Sequence, residues 1–394
     1  MGMGLSIDSP RVALVHDFLL DVRGAERVFI ELCEMWPHAD LYTAVYDEEG
    51  TEGRFAGRTI HSSFLQRLRP AERTFRALLP LYPAAIESFD LSAYDLVISS
   101  SSAWAHAVIC DPHTTHVSYC HNPFRYAWND RDRTLTRTRD PVTRAFLRST
   151  FRRWRQWDWI AAQRTDRYVA NSHATQARVH AYFGRESAVV YPPVDTARFS
   201  AGRVGDHYAV VSKLMPHKQI EVAITAFNIL RLPLVVVGDG PDARSLRRSA
   251  GPTIHFSGRA PDAAVAEIVQ RARALVVTSV EEFGIAAVEA QAAGRPVIAR
   301  GEGGALETIE DGVTGCFFSG GADELALAVT EFDDGAVDPG ACVRNAARFS
   351  RANFQANFRL EVDGAAAVDA RTVSYRRPLR SARLARRASR EISG

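Results

Sequence analysis

Two glutamates eight residues apart, Glu281 and Glu289, stand in EEFGIAAVEAQAAG (281–294), where a strand gives way to a helix. ARALVVTS reads as the strand, EEFG as a turn, and IAAVEAQAA as a helix with Gly294 at its C-terminal cap. The first-turn amides of Phe283, Gly284 and Ile285 would then be unpaired donors, and together with the helix dipole they favour a phosphate. Carboxylates aimed at a phosphate would repel it, so these acids need a neutral partner rich in hydroxyl donors. A nucleotide sugar has hydroxyls on both sides of its phosphates, on the hexose and on the ribose. Each charged hydrogen bond to them contributes roughly 1.5–3 kcal/mol. The bland alternative is that the two acids decorate a first turn and a solvent face.

Three further stretches carry chemistry of the same kind. VVSKLMPHKQ (210–219) places Lys213 and Lys218 at the end of a strand and in the loop before the next helix. In a doubly wound sheet that edge binds ligands, and two ammonium groups there can stabilise a departing diphosphate. SYCHNPFRYAWND (118–130) sets His121 at another strand end, followed by Phe124, Tyr126 and Trp128, whose faces suit sugar rings. VHDFLLDVRGAERV (15–28) puts Gly24 at the start of a helix, a second candidate amide site for phosphate. The competing signal is VVVGDGPDA (235–243), which fits G-x-G-x-x-A after a strand and keeps an NAD-dependent oxidoreductase open as a rival. A non-catalytic carbohydrate-binding protein on the same fold is the other.

The elements that must position these residues alternate from end to end. Short β-branched runs (RVALVHDF, YDLVISSS, THVSYCH, RYVANS) are interleaved with helical patterns (GAERVFIELCEMW, HATQARVHAYFG), and after YPPVD (191–195) the rhythm restarts. Continuous apolar strands of this kind are buried on both faces, which means parallel sheets flanked by helices. The fold class expected is α/β, two Rossmann-like doubly wound domains with a cleft between them: residues 1–193, residues 194–370 with a last helix crossing back, and a basic tail over 371–394.

Composition excludes other classes. The chain has 394 residues, 46% hydrophobic and 24% charged, which rules out wholesale disorder. Its 48 basic against 46 acidic residues point to no nucleic-acid partner. Five scattered cysteines and no His cluster at ligand spacing suggest neither disulfides nor a metal. With no signal-like start and no long apolar run, a cytoplasmic location is expected. Arg and aromatic residues interleave in FLRSTFRRWRQWDWIAAQR (146–164) and FLQRLRPAERTFRALLPLYP (64–83), and arginines crowd the tail. These three segments could rest on an anionic membrane surface, or the first two could be ordinary amphipathic helices.

Taken together, EEFGIAAVEAQAAGRPVIA, SKLMPHK, RGAERV, CHNPFRYAW and VVYPPVDTARF resemble the retaining family 4 glycosyltransferases of GT-B fold, and most nearly their bacterial GDP-mannose-dependent mannosyltransferase branch. The resemblance runs from about residue 11 to about residue 360. It implies an enzyme that moves a hexose, mannose from GDP-mannose in that branch, to a glycan or lipid-linked acceptor without cofactor or essential metal. Carried over by position, Lys213 and Lys218 would bind the diphosphate, Glu281 the transferred sugar, Glu289 the ribose and His121 a hydroxyl near the sugar's 6-position. Gly24 and the Phe283, Gly284 and Ile285 amides would contact phosphate or sugar, and Arg259 in FSGRA would lie by the nucleobase. Lys213 stands where the family usually has arginine, and Arg23 where it usually has a first glycine.

Overall fold

The computed structural model describes residues 10–68 and 75–373. Among these, strands β1 (Val12–His16), β2 (Asp40–Thr43), β3 (Ile60–Ser62), β4 (Leu96–Ser101), β5 (Thr115–Cys120), β6 (Arg167–Ala170) and β7 (Ser187–Val189) form one sheet, ordered β3-β2-β1-β4-β5-β6-β7. A second sheet holds β8 (Tyr208–Val211), β9 (Leu234–Val237), β10 (Ile254–Gly258), β11 (Leu275–Val277), β12 (Val297–Arg300) and β13 (Gly315–Phe318), ordered β10-β9-β8-β11-β12-β13. Both are parallel, as their apolar strands require. In each sheet the order reverses once, between β1 and β4 and between β8 and β11, the switch points where doubly wound sheets open toward ligands. Strands β2, β3 and β13 have only three or four residues, too short to stand out as apolar runs; lateral pairing defines them.

The chain divides into two compact units. Among the described residues, one comprises 10–68, 75–169, 179–188 and 357–373, the other 170–178 and 189–356. The final helix, Arg351–Val373, therefore begins with the second unit and continues with the first, where Phe358 packs edge-on against Trp36 and Tyr119. The basic tail lies outside the described residues from 374 onward.

In the first unit β1 and β4 begin apolar and turn polar toward their carboxyl ends, whereas β5 also carries Thr115, His116 and Ser118 within its length. Asp17, just past β1, is buried, and its carboxylate accepts four backbone N–H bonds, from Ser102, Ala103, Trp104 and Ala105, at 2.5 to 3.0 Å. This ties the end of β1 to the loop after β4. In β4 each of three successive serines faces an imidazole: Ser99 Oγ and His116 Nε2 are 2.9 Å apart, Ser100 Oγ and His121 Nε2 2.8 Å, and Ser101 Oγ and His106 Nδ1 3.1 Å.

Two sequence expectations need correction. The aromatics after His121 do not form an open sugar platform. Phe124 is buried against Trp104, with ring centroids 4.4 Å apart, and Trp128 stacks on Tyr182 while its Nε1 donates to Asp158 at 2.6 Å. Nor does 64–83 form one amphipathic helix over its described part: Phe64–Leu68 and Phe75–Leu81 are 3₁₀ turns, followed by a short helix at Tyr82–Glu87. Pro80 and Pro83 lack the N–H groups a longer helix needs.

Replacing Asp17 by Ala would leave four buried or part-buried amides without their acceptor, so we expect a loss of roughly 3–5 kcal/mol in urea unfolding. A loss below about 1 kcal/mol would show that the loop after β4 holds itself.

Candidate active site

In the second unit, the loop after β8 and the turn after β11 flank the switch point, since β8 and β11 are neighbours. Lys218, from the first loop, places its Nζ 2.7 and 2.6 Å from the two carboxylate oxygens of Glu281, from the second. The side chains are 19% and 21% exposed, so the pair is largely withdrawn from water yet open on one side. Ser279 Oγ also bonds Glu281 Oε1, and Thr278 Oγ1 donates to the Lys218 carbonyl at 2.8 Å. The carboxylate is thereby held by a cation and a hydroxyl: an anion can take its place on Lys218, and an alcohol can take the place of Ser279.

The turn that carries Glu281 is clamped from behind. Gly304 N–H donates to the Glu281 carbonyl at 2.8 Å, and a Cβ at Gly304 would overlap the Phe283 backbone. Phe283 is buried, Gly284 has φ +96°, and the helix Ile285–Ala292 starts from it. Among the described residues, the amides of Phe283, Gly284 and Ile285 donate no backbone hydrogen bond. Glu289, one turn on, is not a solvent-face acid. Arg198 lies 3.5 Å from its Oε1 and 2.8 Å from Asp262 Oδ2, joining this helix to the start of Asp262–Arg271. Lys213 is half-buried just past β8, whereas Arg259 is exposed past the edge strand β10, two strands away.

The G-x-G-x-x-A rival loses its physical basis here. A Cβ at Gly238 or Gly240 would overlap the carbonyls of Ser212 and Leu214, so these glycines serve close packing against the loop that carries Lys213. The helix that follows, Ala243–Ser249, is only seven residues long.

The first unit carries the remaining candidates. His121 extends β5 by one hydrogen bond, its N–H to the Ser101 carbonyl at 2.8 Å, and is 9% exposed. Gly24 opens the helix Gly24–Met35, but Glu26 already accepts the Arg23 N–H at 3.0 Å, so a carboxylate occupies part of this helix start. Arg23 itself is paired with Asp21 at 2.5 Å.

Comparison with known proteins accounts for both halves. Residues 22–198 match the family model described as Glycosyltransferase Family 4, and residues 205–348 match Glycosyl transferases group 1. The chain belongs to the family 4 glycosyltransferases. Its curated relatives include a GDP-mannose-dependent alpha-(1-6)-phosphatidylinositol monomannoside mannosyltransferase of Mycobacterium tuberculosis, 34% identical over 46% of this chain and 56% of that one. A D-inositol 3-phosphate glycosyltransferase of Mycolicibacterium vanbaalenii is 31% identical over 58% of each. The chain thus spans a little over half the length of these relatives. Among solved structures, Anabaena HepE in complex with UDP superposes with a TM-score of 0.67 at 17% identity, covering 90% of this chain and 100% of that one. Sucrose-phosphate synthase of Thermosynechococcus elongatus gives 0.66 at 16% identity, covering 93% and 100%. The fold of this family 4 member is GT-B.

Sequence reasoning missed the groups that hold the family residues: Ser279, Arg198 and Gly304 in the second unit, and His16, Asp17 and Ser100 in the first. A run of serines closing an apolar strand, ISSSS (98–102), and the HD pair closing VALV were the available signals. Among the described residues, no group of three or more His, Cys, Asp or Glu side chains is placed to hold a metal ion.

Two buried imidazoles, His116 within β5 and His121 just past it, are held neutral. Burial, then the nearby His106 and Arg164, push His116 down to about 3, and burial followed by His16 does the same for His121. The unfolded chain binds protons at these sites below about pH 6.5 while the folded one does not, so stability rises with pH between about 3 and 6.5. Lowering the pH from about 7.5 to about 5 should cost on the order of 1–2 kcal/mol per histidine in urea unfolding. A His116→Asn variant should lose part of that slope; an unchanged slope would contradict the assignment.

Proposed function

We propose that this protein is a retaining, metal-independent hexosyltransferase that moves mannose from GDP-mannose to a hydroxyl of a glycan or lipid-linked acceptor. The observation that carries the reading is the Lys218–Glu281 pair beside the unbonded amides of the Phe283–Ile285 turn. The GDP-mannose dependence of the Mycobacterium tuberculosis relative supports the choice of donor.

In this reading Lys218 and Lys213 take the diphosphate, and the turn amides add donors where its charge grows. Glu281, released from Lys218, accepts hydroxyls of the hexose, and Glu289 accepts those of the ribose; Arg259 lies by the nucleobase. In the first unit, His121 and the Gly24 helix start bind substrate hydroxyls. Glu26 at that helix start favours a hydroxyl there over a phosphate. The sugar's anomeric carbon–oxygen bond breaks with its electron pair going to the diphosphate. The acceptor oxygen bonds to the same face of that carbon, and its proton passes to the departing phosphate oxygen. No side chain is needed as nucleophile, and the anomeric configuration is kept.

A lipid-linked acceptor requires access to a bilayer, and the helix Pro141–Ala162 supplies a suitable face. Trp154 and Trp157 turn inward against the core, while Val142, Phe146, Trp159 and Ile160 are exposed, Val142 to 76%. Arg148, Arg152 and Arg153 are exposed beside them, and the helix's one acid, Asp158, is buried. Apolar anchors flanked by cations fit peripheral attachment to the inner, anionic leaflet. No helix among the described residues is long and apolar enough to cross a membrane.

With GDP-mannose as donor, Lys218→Ala should lower kcat roughly 10²–10³-fold with little change in unfolding temperature, and Glu281→Gln should also cut transfer. NMR of the product should show retained configuration and turnover should survive a chelator; an inverted product, or a fully active Lys218→Ala, rules the scheme out. In co-sedimentation the protein should bind vesicles containing phosphatidylglycerol and not neutral ones, and replacing Arg148, Arg152 and Arg153 by Glu should abolish the preference. Equal binding to both vesicle types would dismiss the membrane face.

A further inference from the structure

The carboxyl ends of β5, β4 and β1 lie side by side and carry a chain of buried polar side chains. His121 Nε2 is 2.8 Å from Ser100 Oγ, Ser100 Oγ is 3.1 Å from His16 Nδ1, and His16 Nε2 is 3.6 Å from Glu26 Oε1. All four residues are buried, and the His16 ring is stacked on Phe29 with centroids 4.8 Å apart, which sets its plane. The other oxygen of Glu26 accepts the Arg23 N–H, so this carboxylate is anchored to the helix start that contains Gly24.

Proton counting orients the chain. A hydroxyl has one proton, so Ser100 can donate to only one of its two imidazoles and must accept from the other. A carboxylate only accepts, and the Glu26 oxygen 3.6 Å from His16 Nε2, too distant for a hydrogen bond, still favours by its charge an N–H at that atom; a ring with a single N–H then has Nδ1 as its acceptor. Ser100 then donates to His16 Nδ1 and accepts from His121 Nε2–H. Burial keeps His121 neutral, and a neutral imidazole has a single N–H.

We propose that Glu26, His16 and Ser100 are positioning residues that hold His121 in its Nε2–H tautomer, so that Nδ1 accepts a hydrogen bond from a substrate hydroxyl instead of donating one. The inference rests on the assignment of His121 to the substrate made above. It adds a direction to that contact: the substrate supplies the proton, which selects an alcohol over an oxygen that can only accept.

The test uses the full chain labelled with ¹⁵N in histidine. Long-range ¹H–¹⁵N correlation reports the tautomer of each ring, and the His121 signals are identified by their loss in His121→Gln. The expected result is Nε2–H in the wild type and a mixture of tautomers in Ser100→Ala, a substitution small enough for the fold to survive. Hydrolysis of GDP-mannose by Ser100→Ala should fall roughly five- to tenfold in kcat with KM little changed. Glu26→Gln, whose amide can donate to His16, should shift His121 toward Nδ1–H. A proton on Nδ1 in the wild type overturns the proposal. So does wild-type turnover by Ser100→Ala beside an inactive His121→Ala, an outcome that leaves the role of His121 standing. A fully active His121→Ala would bring down both.

Discussion

A parallel strand covered by helices on both faces buries every side chain along its length, so a polar one there needs a partner, as Ser99 and His116 supply each other. Polar groups open to a ligand collect where the strands end, and both sheets follow this constraint. β1 ends in His16 and Asp17, β4 in three serines and β5 in His121, while β8 is followed by Lys213 and β11 by Ser279 and Glu281. Each polar group emerges at the edge where its neighbours do the same, so they satisfy one another. Asp17 with its four amides is the strictest case, a carboxylate that solvates a loop and is solvated by it.

The two switch points use this edge differently. In the first unit the groups are buried imidazoles and hydroxyls linked into a chain, with one carboxylate 3.6 Å from its end. In the second they are full charges, Lys218 against Glu281 and Arg198 against Glu289, left partly open. Opposite charges at 2.6 Å in a half-buried site need only an exchange of partners to admit an anion and an alcohol together, since the cation can turn to one and the acid to the other. In the glycosyl-transfer reading, that exchange is donor binding.

The parallel α/β alternation and the strand–turn–helix around EEFG were legible from residue types alone, because β-branched runs and a glycine before a helical pattern have local causes. The aromatics of SYCHNPFRYAWND were legible as aromatics but not as core. Whether Phe124 faces a ligand or Trp104 depends on a loop more than a dozen residues away in the chain. The glycines of VVVGDGPDA misled for a related reason: they fit a dinucleotide pattern locally, while the close approach they permit is to Ser212 and Leu214.

What the sequence by itself determined was the set of chemical groups at each strand end and the kind of element that presents them, since propensity and patterning act over a few residues. Only the tertiary structure decided which group meets which. Lys218 finds Glu281 across 63 residues, His16 finds Ser100 across 84, and Ser100 finds His121 across 21. These meetings follow from the order in which strands lie in the sheet, and that order is set by how the helices cover both faces, a property of the whole chain that no short stretch of it contains.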